Sequence, residues 1–152
     1  MIPSTVARVP EHTAEKVNQQ IHRQTEQNVL RVVRGGPQAI QQRLLELDRE
    51  WDIERALEAN ASTAVLAGVA LGTLVDRRFF ALPAIVAGFL LQHAVQGWCP
   101  PLPILRRLGF RTASEIGYER YALKAVRGDF QKFQPAGDEH GTAEQMFAAA
   151  QR

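Results

Sequence analysis

Two uncharged runs, separated by three charged residues, constrain this chain more than any other feature. Nothing charged falls between Glu58 and Asp76, a run of 17 residues, and nothing charged falls from Phe79 to Trp98, a run of 20. Only Asp76-Arg77-Arg78 lies between them. At about 1.5 Å per residue, each run as a helix covers roughly 25–30 Å, close to the hydrocarbon thickness of a bilayer. In lipid every backbone N–H and C=O must be paired internally, and two isolated runs achieve that only as helices. The pattern predicts an all-α fold: a two-helix transmembrane hairpin with amphipathic cytoplasmic helices on both sides. The competing arrangement is a soluble all-α protein with the same hairpin as its buried core.

Local chemistry fits a hairpin. A second helix that begins near Phe79 holds Pro83 about its first turn, where few intrahelical bonds are lost. Phe79, Phe80 and Trp98 stand at the ends, where aromatic rings favour the water–lipid interface. Averaged composition, 45% hydrophobic and 22% charged, would suit a soluble protein, but the apolar residues are concentrated in the middle third. The first twelve residues, MIPSTVARVPEH, carry no apolar core, so no cleavable signal peptide is expected and the hairpin itself drives insertion. Arg43, Arg49 and Arg55 precede the hairpin and Arg106, Arg107 and Arg111 follow it, against Arg77 and Arg78 in the turn. Positive residues are retained in the cytoplasm. Both termini are therefore expected inside, on the cytoplasmic face, with the lipid bilayer as the first partner.

The chain is expected to divide into five segments, the hairpin among them. Residues 1–37 form a loose leader and a polar helix from Glu11 to Arg34, closed by the break Gly35-Gly36-Pro37. Residues 38–60 form a charged amphipathic helix, with Ile40, Leu44, Leu47 and Trp51 on one face, running on or bending near Asn60 into the span. The hairpin occupies 61–98. Residues 99–130 comprise the non-helical exit Cys99-Pro100-Pro101-Leu102-Pro103, one turn at Ile104–Leu108, and a basic helix. Thr112 and Glu115 have capping-box spacing, and that helix runs to about Arg127 before Gly128. Its expected apolar face is Ile116, Tyr121 or Ala122, Leu123 and Val126, with Arg120, Lys124 and Arg127 as its basic side. Residues 131–152 read as a mobile tail with a short helix near 143–150. The acidic stretch Glu46–Glu58 and the basic stretch Arg106–Lys132 either dock together or leave the basic one on anionic headgroups.

Small residues recur at intervals of four on both spans: Ala64, Gly68 and Gly72 on the first, Ala84 and Gly88 on the second. Without side-chain bulk the backbones approach closely, which is how helices associate where lipid removes the hydrophobic drive. One stripe is expected to close the hairpin and the other to meet a second copy, giving a homodimer. Gln92 and Gln96 continue the second stripe, with His93 beside them, as polar groups at the membrane edge. They find partners there in another helix, headgroups or water, or they line a polar path.

Cys99 is the lone cysteine, so no internal disulfide forms and no multi-cysteine zinc pattern exists. A thiol near Arg106 and Arg107 is a weak candidate for a nucleophile or sulfur acceptor. It follows a helix C-terminus, however, where the dipole disfavours a thiolate. His93 and Cys99, six residues apart, do not make a metal or haem motif. No phosphate loop, catalytic Ser/His/Asp set or nucleic-acid motif occurs. The residues thus point to a non-enzymatic assembly or scaffolding protein without cofactor, its protein partners unspecified. The alternative is a thiol or sulfur-handling membrane protein using Cys99.

Gly97-Trp98-Cys99-Pro100, followed by Leu108-Gly109 and Thr112, resembles the YgaP-like transmembrane domain of bacterial inner-membrane proteins. That family has two membrane helices, then Gly-x-Cys-Pro and Leu-Gly-x-x-Thr, and the resemblance covers about Arg55 to Thr112. The chain departs from it in a longer Cys-Pro to Leu-Gly spacing, in lacking the tyrosine soon after Cys-Pro, and in its long flanks. The resemblance implies a membrane hairpin of unassigned activity. Some members carry a sulfur-transferring rhodanese domain, but no rhodanese loop occurs in this chain.

Overall fold

Helix dominates the described chain, and its interruptions fall where capping side chains and glycines place them. The computed structural model describes Ser4 and residues 6–130. In order it contains α1 (Arg8–Glu11), α2 (Glu15–Arg34), α3 (Gly36–Leu47), α4 (Ile53–Leu74), a 3-10 turn (Arg77–Phe80), α5 (Ala81–Gln96), α6 (Leu102–Arg107) and α7 (Ala113–Arg127). No strand occurs among the described residues. The tail expected over 131–152, with its short helix, lies outside them.

The expected break at Gly35-Gly36-Pro37 is present. Gly36 takes φ +81°, a region that side chains with a Cβ avoid, and Pro37 lies in the first turn of α3. The capping box at Thr112 is reciprocal. Thr112 Oγ1 accepts from the Glu115 N–H at 3.2 Å, and Glu115 Oε2 accepts from the Thr112 N–H at 2.8 Å.

Three expectations change. The charged helix does not run unbroken from Gln38 to Asn60. It stops at Leu47, and a new helix starts at Ile53 because Asp52 caps it, accepting from the Arg55 N–H at 2.8 Å. Continuity through Asn60 into the apolar run does hold. Trp51 consequently leaves the face of Ile40, Leu44 and Leu47 and stacks on the Arg55 guanidinium, 4.4 Å from ring centre to Cζ. Next, Leu102 and Pro103 are helical after all, because a proline in the first turn lacks only an N–H that would be unpaired anyway. Finally, the leader is not all loose: Arg8–Glu11 is a helical turn and Val9 is buried.

The chain divides into two compact units. The first comprises the described residues up to Arg23 together with Trp51–Ile116. Its core joins Val9, Ile53, Ala56, Leu57, Cys99, Leu102 and Leu105. At its polar centre lies Arg106, 1% exposed, with all its nitrogens bonded. Nε donates to Thr13 Oγ1 at 3.2 Å, and Nη2 donates to Asn18 Oδ1 at 2.9 Å and Glu115 Oε1 at 2.8 Å. Nη1 donates to Glu115 Oε2 at 2.7 Å and to the Phe110 carbonyl at 3.1 Å. The bidentate Arg106–Glu115 pair is the strong form of such a bond.

The second unit comprises Gln24–Glu50 and the described residues from Gly117 onward. Ile40, Leu44 and Leu47 of α3 and Leu123 of α7 are buried there. Glu119, fully buried, accepts from Arg43 Nε at 2.8 Å and Nη2 at 3.2 Å. Arg120 pairs with Asp48 at 2.8 Å, one tie between the acidic and basic segments. Of the expected apolar face of α7, Ile116 and Leu123 are buried while Tyr121 and Val126 are exposed. The arc of the helix that turns inward therefore includes Glu119 and Lys124, both charged.

Arg106→Met leaves the Glu115 carboxylate in a half-buried site without its partner. The expected cost is about 3–5 kcal/mol, read as a fall in the melting temperature of the detergent-purified protein. Burial alone would raise the Glu115 carboxyl, but the Arg106 guanidinium and the Thr112 N–H outweigh it and hold the carboxyl below its ordinary range. A depressed folded-state pKa contributes stability above the unfolded value of about 4.3, and that contribution is lost as pH falls through the folded value. Acid melts of the unmutated protein and of Glu115→Gln should therefore differ, with the variant showing a flatter loss below about pH 4.

Candidate functional site

The candidate site is the pair α4–α5 with the polar collar at its end. Asp76 starts the connection, accepting from the Arg78 N–H at 2.8 Å and setting the 3-10 turn. The two helices then lie against each other. Gly68 faces Pro83 and Gly72 faces the ring of Phe80. At the far end His93 meets Glu54. These pairings keep a nearly constant sum of residue numbers, the signature of antiparallel neighbours. Contact at Gly68 and Gly72 is so close that a Cβ there would stand 2.5 Å from Pro83 Cδ and 2.9 Å from the Phe80 ring.

The first small-residue stripe thus closes the helix pair, with Gly68 and Gly72 buried and Ala64 half-buried. The second stripe is not used within the chain. Ala84 and Gly88 are exposed, and a Cβ on Gly88 would meet nothing within 4 Å. Gln92 is half-buried and Gln96 exposed.

His93 is not an open edge residue: it is 5% exposed, and its partner comes from the protein. Nε2 stands 2.8 Å from Glu54 Oε2. The other oxygen of Glu54 accepts from Arg8 Nη2 at 2.8 Å, and Arg8 Nη1 donates to the Ala94 carbonyl at 3.3 Å. The other ring nitrogen, Nδ1, is buried without a partner among the described residues. Gly97 makes this collar possible. It ends α5 at φ +81°, and a Cβ there would stand 2.6 Å from the Arg8 backbone oxygen.

Sequence reasoning missed Glu54 and Arg8. A signal for Glu54 existed: a hairpin centred near Asp76–Arg77 brings residue 54 within about two turns of residue 93. Nothing comparable marks Arg8, which arrives from a distant, short helical turn.

Cys99 lies in the core and lines an apolar groove of about 310 Å³ with Leu57, Ala61, Ala64, Val86 and Phe89. Burial pushes its thiol up from the ordinary value; the Leu102 N–H offsets only part of that, and the Glu54 carboxylate adds to it. Such a thiol holds little thiolate at neutral pH. Among the described residues no three His, Cys, Asp or Glu side chains converge on a metal position.

Close packing at Gly68 and Gly72 is testable. Gly68→Ala and Gly72→Ala force the helices apart and should each cost about 1–3 kcal/mol, whereas Gly88→Ala should cost nothing measurable in the single chain. Thermal unfolding and protease resistance in detergent read the difference. Equal tolerance at all three positions would exclude the contact.

No protein-family model, curated protein or solved structure matches this chain.

Proposed function

We propose that this is a small integral membrane protein whose α4–turn–α5 segment is a transmembrane hairpin and whose role is assembly or scaffolding rather than catalysis. One observation carries the membrane reading: the apolar side chains of both helices point outward. Only 17% of the most apolar stretch of α4 and 6% of that of the second span is buried. Leu66, Leu74, Ile85 and Leu91 are all more than half exposed. A core helix of a soluble protein hides such side chains, and a continuous belt of them in water would aggregate. The spans have 22 and 20 residues, about 33 and 30 Å as helices. The first turns of α4, with Glu54, Arg55 and Glu58, stand clear of the hydrocarbon, so the Arg8–Glu54–His93 collar marks its boundary.

The distribution of arginines favours the collar side as cytoplasmic, with both termini inside. The motif resemblance to the YgaP-like transmembrane domain supports a hairpin in a bacterial inner membrane. A scaffolding role is supported by what the site offers: a packed hairpin, a polar collar that ties Arg8, Glu54 and His93 together, a buried thiol with raised pKa, and an open small-residue face. That face, Ala84 and Gly88 continued by Gln92 and Gln96, is where a second copy would meet this one, with amide bonds of about 0.6–2 kcal/mol each.

Three experiments decide these points. The protein should stay in the membrane pellet after alkaline carbonate extraction. Reporters on either terminus should read cytoplasmic, and one inserted at Asp76 should read periplasmic. Release by carbonate would refute insertion, and periplasmic termini would refute the orientation. Crosslinking in membranes should capture a dimer that Gly88→Ile weakens. Without a dimer, self-association fails. A dimer indifferent to Gly88→Ile would leave association standing and the small-residue mechanism refuted.

A further inference from the structure

α6 is amphipathic the wrong way round for a helix in water. Its inward residues are Leu102, Leu105 and Arg106, at 0%, 8% and 1% exposure. Its outward residues are Ile104 at 61%, Leu108 at 71%, and Arg107, also exposed. The Leu108 N–H still donates to the Ile104 carbonyl at 3.0 Å, so residues 104, 107 and 108 share one face. A helix packed on a protein core and facing water normally turns its arginine out and its large aliphatic residues in.

Rotation about the helix axis would correct this, but the Arg106 guanidinium prevents it. Its bonds to Thr13, Asn18, Glu115 and the Phe110 carbonyl fix which side of α6 is buried. Ile104 and Leu108 are thereby held outward.

We infer that this outward face lies in the lipid headgroup region, making α6 a third lipid-contacting element beside the two spans. The inference rests on the transmembrane reading of α4 and α5. Two observations select lipid as the occupant. The first is continuity: α6 starts six residues after Gln96, and Leu102 and Leu105 share a core cluster with Ile53 and Leu57 in the first turns of α4. That places the helix at the end of the spans, beside their exposed apolar belt. The second is charge. Arg107 has no ion pair among the described residues and projects beside two aliphatic side chains, the arrangement of a basic residue that reaches lipid phosphates while its neighbours enter the acyl boundary.

Site-directed fluorescence on the full chain tests this. In a Cys99→Ala background, single cysteines Ile104→Cys, Leu108→Cys and Leu91→Cys carry an environment-sensitive fluorophore, and the protein is reconstituted into phosphatidylcholine vesicles with or without phosphatidylglycerol. Lipids brominated high on their acyl chains should quench the labels at 104 and 108, and deeply brominated lipids should quench the label at 91. Phosphatidylglycerol should strengthen shallow quenching at 104 and 108, and Arg107→Gln should abolish that increment. Quenching at 91 with labels at 104 and 108 open to aqueous iodide would overturn the inference and leave the spans intact. Labels at 104 and 108 shielded from both iodide and brominated lipid would also overturn it, since protein would then cover the face. No quenching at 91 would refute the transmembrane reading, and this inference with it.

Discussion

The first unit depends on a guanidinium taken out of water. An unpaired charge in such a place costs several kcal/mol, and only a complete set of hydrogen bonds makes burial tolerable. Arg106 obtains that set from two distant residues, Thr13 before α2 and Asn18 within it, and from two nearer ones, the Phe110 carbonyl and Glu115 in the first turn of α7. Glu115 serves twice, pairing Arg106 while closing the capping box with Thr112. The start of α7, the rotation of α6 and the position of the α1–α2 junction are thus decided together. Loosening any one of them would leave polar groups of the others unpaired in the interior.

A second constraint, steric rather than electrostatic, governs the α4–α5 pair. In the transmembrane reading, lipid is as apolar as the side chains it meets, so burying leucine between two helices gains little and close van der Waals approach supplies the attraction instead. Gly68 and Gly72 permit that approach against Pro83 and Phe80, two stiff partners. Glu54 and His93 then fix the opposite end, where a directional bond sets the register that smooth helix surfaces leave free. Arg8 caps the arrangement by bonding both Glu54 and the Ala94 carbonyl near the end of α5. Function in this reading lies in surfaces: an apolar belt, an open glycine face and an outward aliphatic edge. The ionisable groups near the membrane boundary are consumed by holding those surfaces in place.

In the second unit, Arg43 and Glu119 repeat the same logic on a smaller scale. The Glu119 carboxylate is buried because the guanidinium brings two parallel donors to it, and Glu46 and Glu50 surround Arg43 with further negative charge. The pair raises the Arg43 pKa, chiefly through its bond to Glu119, so the guanidinium stays charged.

Whatever depends on residues near in sequence could be read from the sequence itself. The charge-free runs implied two long apolar helices, Gly35-Gly36-Pro37 implied a break, Thr112 and Glu115 implied a cap, and the four-residue spacing of Gly68 and Gly72 implied a close-packing face, because caps, turns and helix faces are fixed within a few residues. The break at Asp52 was also local, but the continuing apolar spacing toward Trp51 masked it. Tertiary structure alone decided the partners of the buried charges. The sequence places Lys124 on the basic side of its helix and offers Cys99 only as a weak candidate nucleophile, whereas Arg106, Glu119, Lys124 and Cys99 are all buried. Arg106 and Glu119 meet Thr13, Asn18 and Arg43 from tens of residues away, and no local pattern records a hydrogen bond whose two ends meet only when the chain folds.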